Sequence, residues 1–127
     1  MHRRAASVYR KVHIESASNA RILDELFVSL LRDLDEAERL IGARDAAGKG
    51  AAINHGLAIL STLPQGLSRD AAPALCDDLA RLYDFATGRL VAANLRFDAT
   101  PLQDARRVLG PLRDAFGAAI AAAPLRP

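Results

Sequence analysis

An all-α fold, an antiparallel up-down four-helix bundle with an N-terminal arm, is predicted by three features of this sequence. Val, Ile and aromatic residues are sparse while Ala and Leu dominate, so no segment has the composition of a strand. Apolar residues recur at three- and four-residue spacing along most of the chain, the period that gathers them on one helix face. Clusters of Gly, Pro and Asp divide this pattern into four segments, and four amphipathic helices on short connections bury their stripes best as antiparallel neighbours. By length, 127 residues make one domain that buries roughly two-thirds of its unfolded surface. The expected organisation is an arm over residues 1–17, a bundle over 18–122 and a short tail over 123–127.

The first helix is expected from Asn19 to Ala43. Ile22, Leu23, Leu26, Phe27, Leu30, Leu34, Ala37 and Ile41 make its apolar face, and Ser18 or Asn19 serves as its cap. Gly48 and Gly50 mark the turn that follows. The second helix turns Ala52, Ile53, Gly56, Leu57, Leu60 and Leu63 inward and closes at Pro64 and Gly66. The third starts near Asp70, with Pro73 tolerated in a first turn whose amides lack intrahelical partners. Its inward stripe is Leu75, Leu79, Leu82, Tyr83, Ala86, Leu90 and Val91, and Asn94 stands near its end. The fourth opens on Thr100-Pro101-Leu102-Gln103. Here Thr100 reads as the N-cap, Pro101 as the first helical residue and Gln103 as the second half of a capping box. Leu102, Ala105, Val108, Leu109, Leu112, Phe116 and Ile120 form its face, and Gly110-Pro111 predicts an interruption with a kink between Arg107 and Pro111. Ahead of the bundle, Tyr9, Val12 and Ile14 give the arm apolar anchors for docking onto it.

Composition excludes more than it assigns. Half the residues are apolar and a quarter charged, which is globular composition, and no apolar run approaches the length of a membrane span. The basic N-terminus has no apolar stretch behind it, so it does not read as a secretory signal. A single cysteine, Cys76, has no disulfide partner, which suits the cytoplasm. The formal charge of +2, with 15 Arg and 2 Lys scattered among acids, gives no nucleic-acid footprint. His13 and His55 lack ligands at metal-binding spacing, and Gly48-Lys49-Gly50 lacks the spacing of a phosphate loop. The pairs Asp33-Asp35 and Asp77-Asp78 suit a solvated helix face better than acid–base chemistry. No catalytic residue, metal site or cofactor is therefore expected, and the chain does not read as an enzyme.

One run carries more information than its period. Leu82 to Asp98, LYDFATGRLVAANLRFD, joins Leu82-Tyr83-Asp84, Arg89-Leu90, Ala93-Asn94 and Asp98 in an order a generic helix does not need. Other motifs stand at matching distances: Tyr9 to Ser18 (YRKVHIESAS), Ile22 to Leu34, and Leu112-Arg113-Asp114-Ala115-Phe116. Together they resemble the flagellar secretion chaperone (FliS) family, nearly collinearly from Tyr9 to Phe116. The family's usual Pro is Asn19 here, its Asp-Gly is Val28-Ser29, its Trp is Phe116, and its fourth helix lacks Gly110-Pro111.

The resemblance implies a cytoplasmic helical chaperone that holds the C-terminal segment of flagellin, or of a related export substrate. It would prevent premature polymerisation and aid type III export, with the export gate as a further partner. Tyr9 and Ile14 would form a displaceable lid. The candidate client contacts are Tyr9, Val12, Ile14, Leu26, Phe27, Leu30, Leu57 and Leu60, with no membrane insertion. Tyr83, Asp84, Arg89, Asn94 and Asp98 are expected to maintain the scaffold. The alternative is a bundle that keeps this scaffold in a regulatory or structural role, with a different client or none.

Overall fold

A computed structural model describes residues 17–66 and 73–122, with side-chain surroundings for 21–64, 73–74 and 76–115. Four helices, α1 (Ala17–Gly42), α2 (Ala46–Thr62), α3 (Pro73–Leu95) and α4 (Thr100–Ala122), pack as an all-helical bundle, with a short 3-10 turn at Leu63–Gly66. Each helix packs on two neighbours, in the cyclic order α1, α2, α3, α4. The cross-helix partners run in opposite directions along every pair. Asp33 meets His55, Lys49 meets Arg96, Arg89 meets Asp104 and Arg113 meets Asp24.

The expected apolar faces fill the centre. Leu23, Phe27, Leu30, Leu34, Ala37 and Ile41 of α1 meet Ile53, Leu60 and Leu63 of the second segment; Leu79, Tyr83, Ala86 and Leu90 of α3 meet Leu102, Ala105 and Leu109 of α4. Leu82, Leu112, Ala52 and Leu57 are half-buried against that core. Two assignments change. Ile22 and Val91 are exposed by 55% and 44%, because each lies on the flank of its stripe, where a helical period alone does not separate core from edge. Conversely Leu40, Ile59, Cys76 and Ala93 are buried, although the stripes as read omitted them. The arm residues Tyr9, Val12 and Ile14, the start near Asp70, and the side chains of Leu75, Phe116 and Ile120 lie outside the described residues.

The α1–α2 turn falls three residues earlier than the glycines suggested. Arg44, at φ 58°, takes the left-handed position that ends α1, and the Arg44 and Asp45 amides donate back to the Ile41 and Leu40 carbonyls. Asp45 then caps α2, its side chain accepting from the Gly48 amide at 2.9 Å. Gly48 and Gly50 are therefore helical. A Cβ on Gly48 would sit 2.6 Å from the Asp45 carboxylate, so the glycine serves the cap and not a turn. Gly56 has a packing role: a Cβ there would lie 3.2 Å from Leu90 and 3.3 Å from Leu30, which makes this the close approach of α2 to its neighbours.

Other helix ends also differ from expectation. Ser18 and Asn19 lie within α1 and so cannot precede it as caps. The α4 start is one step removed from the predicted box: Asp98 accepts from the Thr100 amide at 3.0 Å, and the Ala99 carbonyl receives the Leu102 and Gln103 amides. Gln103 turns away to donate to Glu38 at 3.0 Å, so no capping box forms. Nor does Gly110-Pro111 interrupt α4, which runs unbroken to Ala122. Pro111 and Arg107 are both exposed, so the carbonyl that loses its donor faces water.

Candidate functional site

Among the candidate contact residues, burial separates two groups. Phe27 and Leu30 are fully buried and Leu60 nearly so, all within the core cluster. Leu26 and Leu57 are half-buried and reach solvent along one side. Leu26 stands seven residues before Asp33, the residue that meets His55, so it shares the flank of α1 that faces α2. Leu57 stands three residues after Asn54, whose amide oxygen accepts from Asn94 at 3.5 Å, and so lies on the flank facing α3. The two leucines thus border the two seams on either side of α2, the shortest helix. Exposed Ile22 extends the α1–α2 strip by one turn beyond Leu26.

The opposite seam, between α1 and α4, is polar. Arg106 donates to Asp35 at 2.6 Å and to Glu38 at 3.0 Å, and Gln103 adds its bond to the same Glu38. Those donors hold the Glu38 carboxyl below the ordinary carboxylate range, Gln103 first and Arg106 next. Nearer the other end, Arg113 Nε comes within 3.1 Å of Asp24 Oδ1, off the angle of a hydrogen bond, while Nη2 reaches Oδ2 at 3.4 Å. One hydrogen bond, from Nη2 to Oδ2, and the close opposite charges hold that pair. Arg113 belongs to the LRDAF motif and Asp24 to the run Ile22–Leu34, so two separated motifs meet across one seam.

The run from Leu82 to Asp98 is divided among several roles. Tyr83 is 3% exposed in the core, and burial pushes its phenol well above the ordinary value of 10.0. Asp84 faces solvent. Arg89 reaches Asp104 of α4 at 3.8 Å. The Asn94 carbonyl accepts from Lys49 at 2.9 Å. Asp98 starts α4, and bonds from the Thr100 backbone and then its side chain hold the carboxyl below its ordinary value. A raised phenol pKa makes folding stability present below the unfolded value and lost as pH climbs beyond it. Unfolding free energies measured between about pH 9 and 11.5 should therefore fall with a slope of up to about 1.4 kcal/mol per pH unit from this group. Tyr83→Phe removes that component; an identical pH slope in the variant would refute the assignment.

Lys49 is the feature the sequence reading missed. It is 5% exposed, the charged residue that the core-facing surface buries among the described residues. Its ammonium donates to the Asn94 and Arg96 carbonyls at 2.9 and 3.3 Å and lies 4.5 Å from the Phe97 ring centre. The available signal was its rarity: one of 2 lysines in a chain with 15 arginines.

His55 is 61% exposed, with Nδ1 2.5 Å from Asp33. Cys76 is buried. Among the described residues no three His, Cys, Asp or Glu side chains converge, and no helix is long and apolar enough to cross a membrane. What this geometry offers is half-buried apolar seams on one side, fastened by a polar ladder on the other. It defines an all-helical bundle with part-exposed leucines bordering two of its seams.

The comparisons with known proteins give that class a family. Residues 1–123 match the family model described as flagellar protein FliS. The chain is 28% identical over 113 residues to the flagellar secretion chaperone FliS of Salmonella typhimurium (strain LT2), covering 85% of this chain and 84% of that protein. It is 25% identical over 118 residues to the protein of the same name from Escherichia coli K12, covering 89% and 87%. The chain belongs to the FliS family, that of the flagellar secretion chaperones.

Proposed function

We propose that this protein is a cytoplasmic export chaperone that binds the C-terminal segment of a flagellin-type substrate. It keeps that subunit from polymerising early and delivers it to the type III export gate. The observation that carries this reading is the family match, which runs through the whole bundle and not through one motif. The geometry supports it. An amphipathic client laid along the α1–α2 and α2–α3 seams would cover Ile22, Leu26 and Leu57, while Phe27, Leu30 and Leu60 form the floor behind them. Ordering a disordered client forfeits about 2–5 kcal/mol of its contact energy, which keeps the complex releasable. Tyr9, Val12 and Ile14 are proposed to compete with the client for the same surface. Departures from the family pattern do not argue for a different role: Val28 and Ser29 are half-buried in an intact α1, and Pro111 is accommodated in an unbroken α4.

Calorimetric titration with a flagellin C-terminal peptide tests the proposal. Leu26→Asp and Leu57→Asp are each expected to weaken binding about tenfold or more, with helix content retained. Tyr9→Ala should change affinity with little loss of helicity. A folded wild-type bundle that shows no binding at roughly 50 μM peptide would exclude a flagellin client.

A further inference from the structure

The His55–Asp33 pair bridges the α1–α2 seam, and its geometry leaves one polar atom of the seam unpaired. Asp33 comes from α1 with its side chain 17% exposed, and His55 comes from α2 with its ring 61% exposed. Nδ1 stands 2.5 Å from Asp33 Oδ2. A carboxylate only accepts, so Nδ1 carries the proton, and Asp33 fixes both the tautomer and the orientation of the ring. Nε2, on the other edge of the imidazole, has no partner among the described residues. An exposed pair of this kind adds little to folding, so stability alone does not account for it.

The surroundings give that atom a place in a pattern. Half-buried Leu26 and exposed Ile22 lie seven and eleven residues before Asp33 on the same flank of α1. At the helical rise they stand about 10 and 16 Å from it along the axis. The seam therefore presents two apolar side chains and then one polar atom, in fixed order. Neutral, the ring offers Nε2 as an acceptor; protonated, it offers Nε2–H as a donor. A carboxamide or hydroxyl serves both states, because each carries a donor and an acceptor. An apolar side chain over the ring would cover Nε2 without a hydrogen bond, a carboxylate would lie beside Asp33, and an ammonium suits the neutral ring only.

We propose that His55 selects the segment this seam accepts, pairing Nε2 with a carboxamide or hydroxyl side chain two helical turns beyond an apolar residue that covers Leu26. The inference rests on the seam being the client site. Asp33 is a positioning residue that acts through the ring it holds. A client of this class carries two apolar residues four apart and, seven residues further in either chain direction, an Asn, Gln, Ser or Thr.

The test is a calorimetric titration of the full chain with two synthetic helical peptides. Each carries Leu at two positions four residues apart and, seven residues further, Gln in one and Ala in the other. The Gln peptide is expected to bind about three- to tenfold tighter, the range of one hydrogen bond, with amide shifts centred on Leu26 and His55. His55→Asn keeps a donor toward Asp33 and removes the Nε2 edge, so it should abolish the preference and leave the thermal midpoint in place. His55→Gln, whose amide reaches the Nε2 position, should restore part of the preference. Imidazole nitrogen shifts, at a pH where the ring is neutral, should show the Nδ1–H tautomer in the wild type and its loss in Asp33→Asn. A Gln preference that persists in His55→Asn would overturn the proposal, as would an Nε2–H tautomer in the wild type. Equal binding of the two peptides by a wild type that still binds the flagellin peptide would also overturn it, and would leave the export reading standing. A folded wild type that binds none of the three peptides removes the seam as a client site and the proposal with it.

Discussion

Phe27→Ala should destabilise the bundle by about 3–5 kcal/mol, the range for deleting a buried aromatic side chain whose surroundings collapse only partly. Phe27 is fully buried in the core cluster to which all four helices contribute side chains. A domain of this size has a total stability of about 5–15 kcal/mol, so the variant retains a fold but loses much of its margin. The thermal midpoint should fall by about 10–20 °C, at roughly 3–5 °C per kcal/mol for this length. Phe27 was also a candidate client contact, and the two roles separate in one experiment. A core residue lowers the midpoint of the isolated protein, whereas a seam residue lowers client affinity and leaves the midpoint nearly unmoved. Leu26→Asp is the matched control, since Leu26 is its chain neighbour on the half-buried flank. If Phe27→Ala shifted the midpoint by less than a few degrees, the core described above would be wrong at its centre.

That pair of adjacent residues shows how far the sequence could be read. Helix number, order and most of the inward stripes follow from a period of three to four residues, because burying one apolar face is the main driving force for folding and leaves its mark at every turn. The same period cannot tell Leu26 from Phe27: both are apolar, both belong to the stripe, and only the position of α2 decides which one reaches water. Ile22 and Val91 were misplaced for that reason, at the two edges of their stripes. The helix ends were less legible, because several local chemistries compete for each one. Gly48 looked like a turn residue, yet Arg44 supplies the left-handed position and Asp45 the cap, while the glycine makes room for the cap's carboxylate. Thr100 and Gln103 matched a capping box, but Asp98 and Glu38 offered oxygens that the sequence order does not reveal.

The family signature sharpens in the same physical way. Tyr83 fills the core, Arg89 ties α3 to α4, Asn94 supplies a carbonyl to Lys49, and Asp98 starts α4. Between them these residues fill the core, start one helix and tie α3 to both α2 and α4, which explains why a run that looks like one odd helix identifies an entire scaffold. The client contacts proposed above have no such signature: Leu26 and Leu57 are ordinary leucines, half-buried where the helices leave a seam.

Lys49→Met should destabilise the bundle by about 1.5–3 kcal/mol, although it removes a buried charge. Two effects oppose each other. Holding an ammonium out of water is unfavourable, and its replacement by an apolar side chain of similar length relieves that cost. Against this, the ammonium supplies donors to the Asn94 and Arg96 carbonyls, groups at the end of α3 that have no further helical amide to receive. It also carries positive charge to the negative end of that helix and sits against the face of Phe97. Methionine retains the stem's volume and can contact the ring through sulfur, so the measured loss reports the donors and charge with little contribution from packing. Arginine is not a substitute, because its broad planar fork does not fit a site shaped for a compact point charge within 2.9 and 3.3 Å of two carbonyls. The checks are a denaturant midpoint and amide hydrogen exchange. Lys49→Met should lower the midpoint without changing the slope, and exchange should accelerate first at residues 94–97. An equal or higher midpoint would mean that Lys49 is a tolerated burden on the fold and not the fastening that closes α3 onto α2.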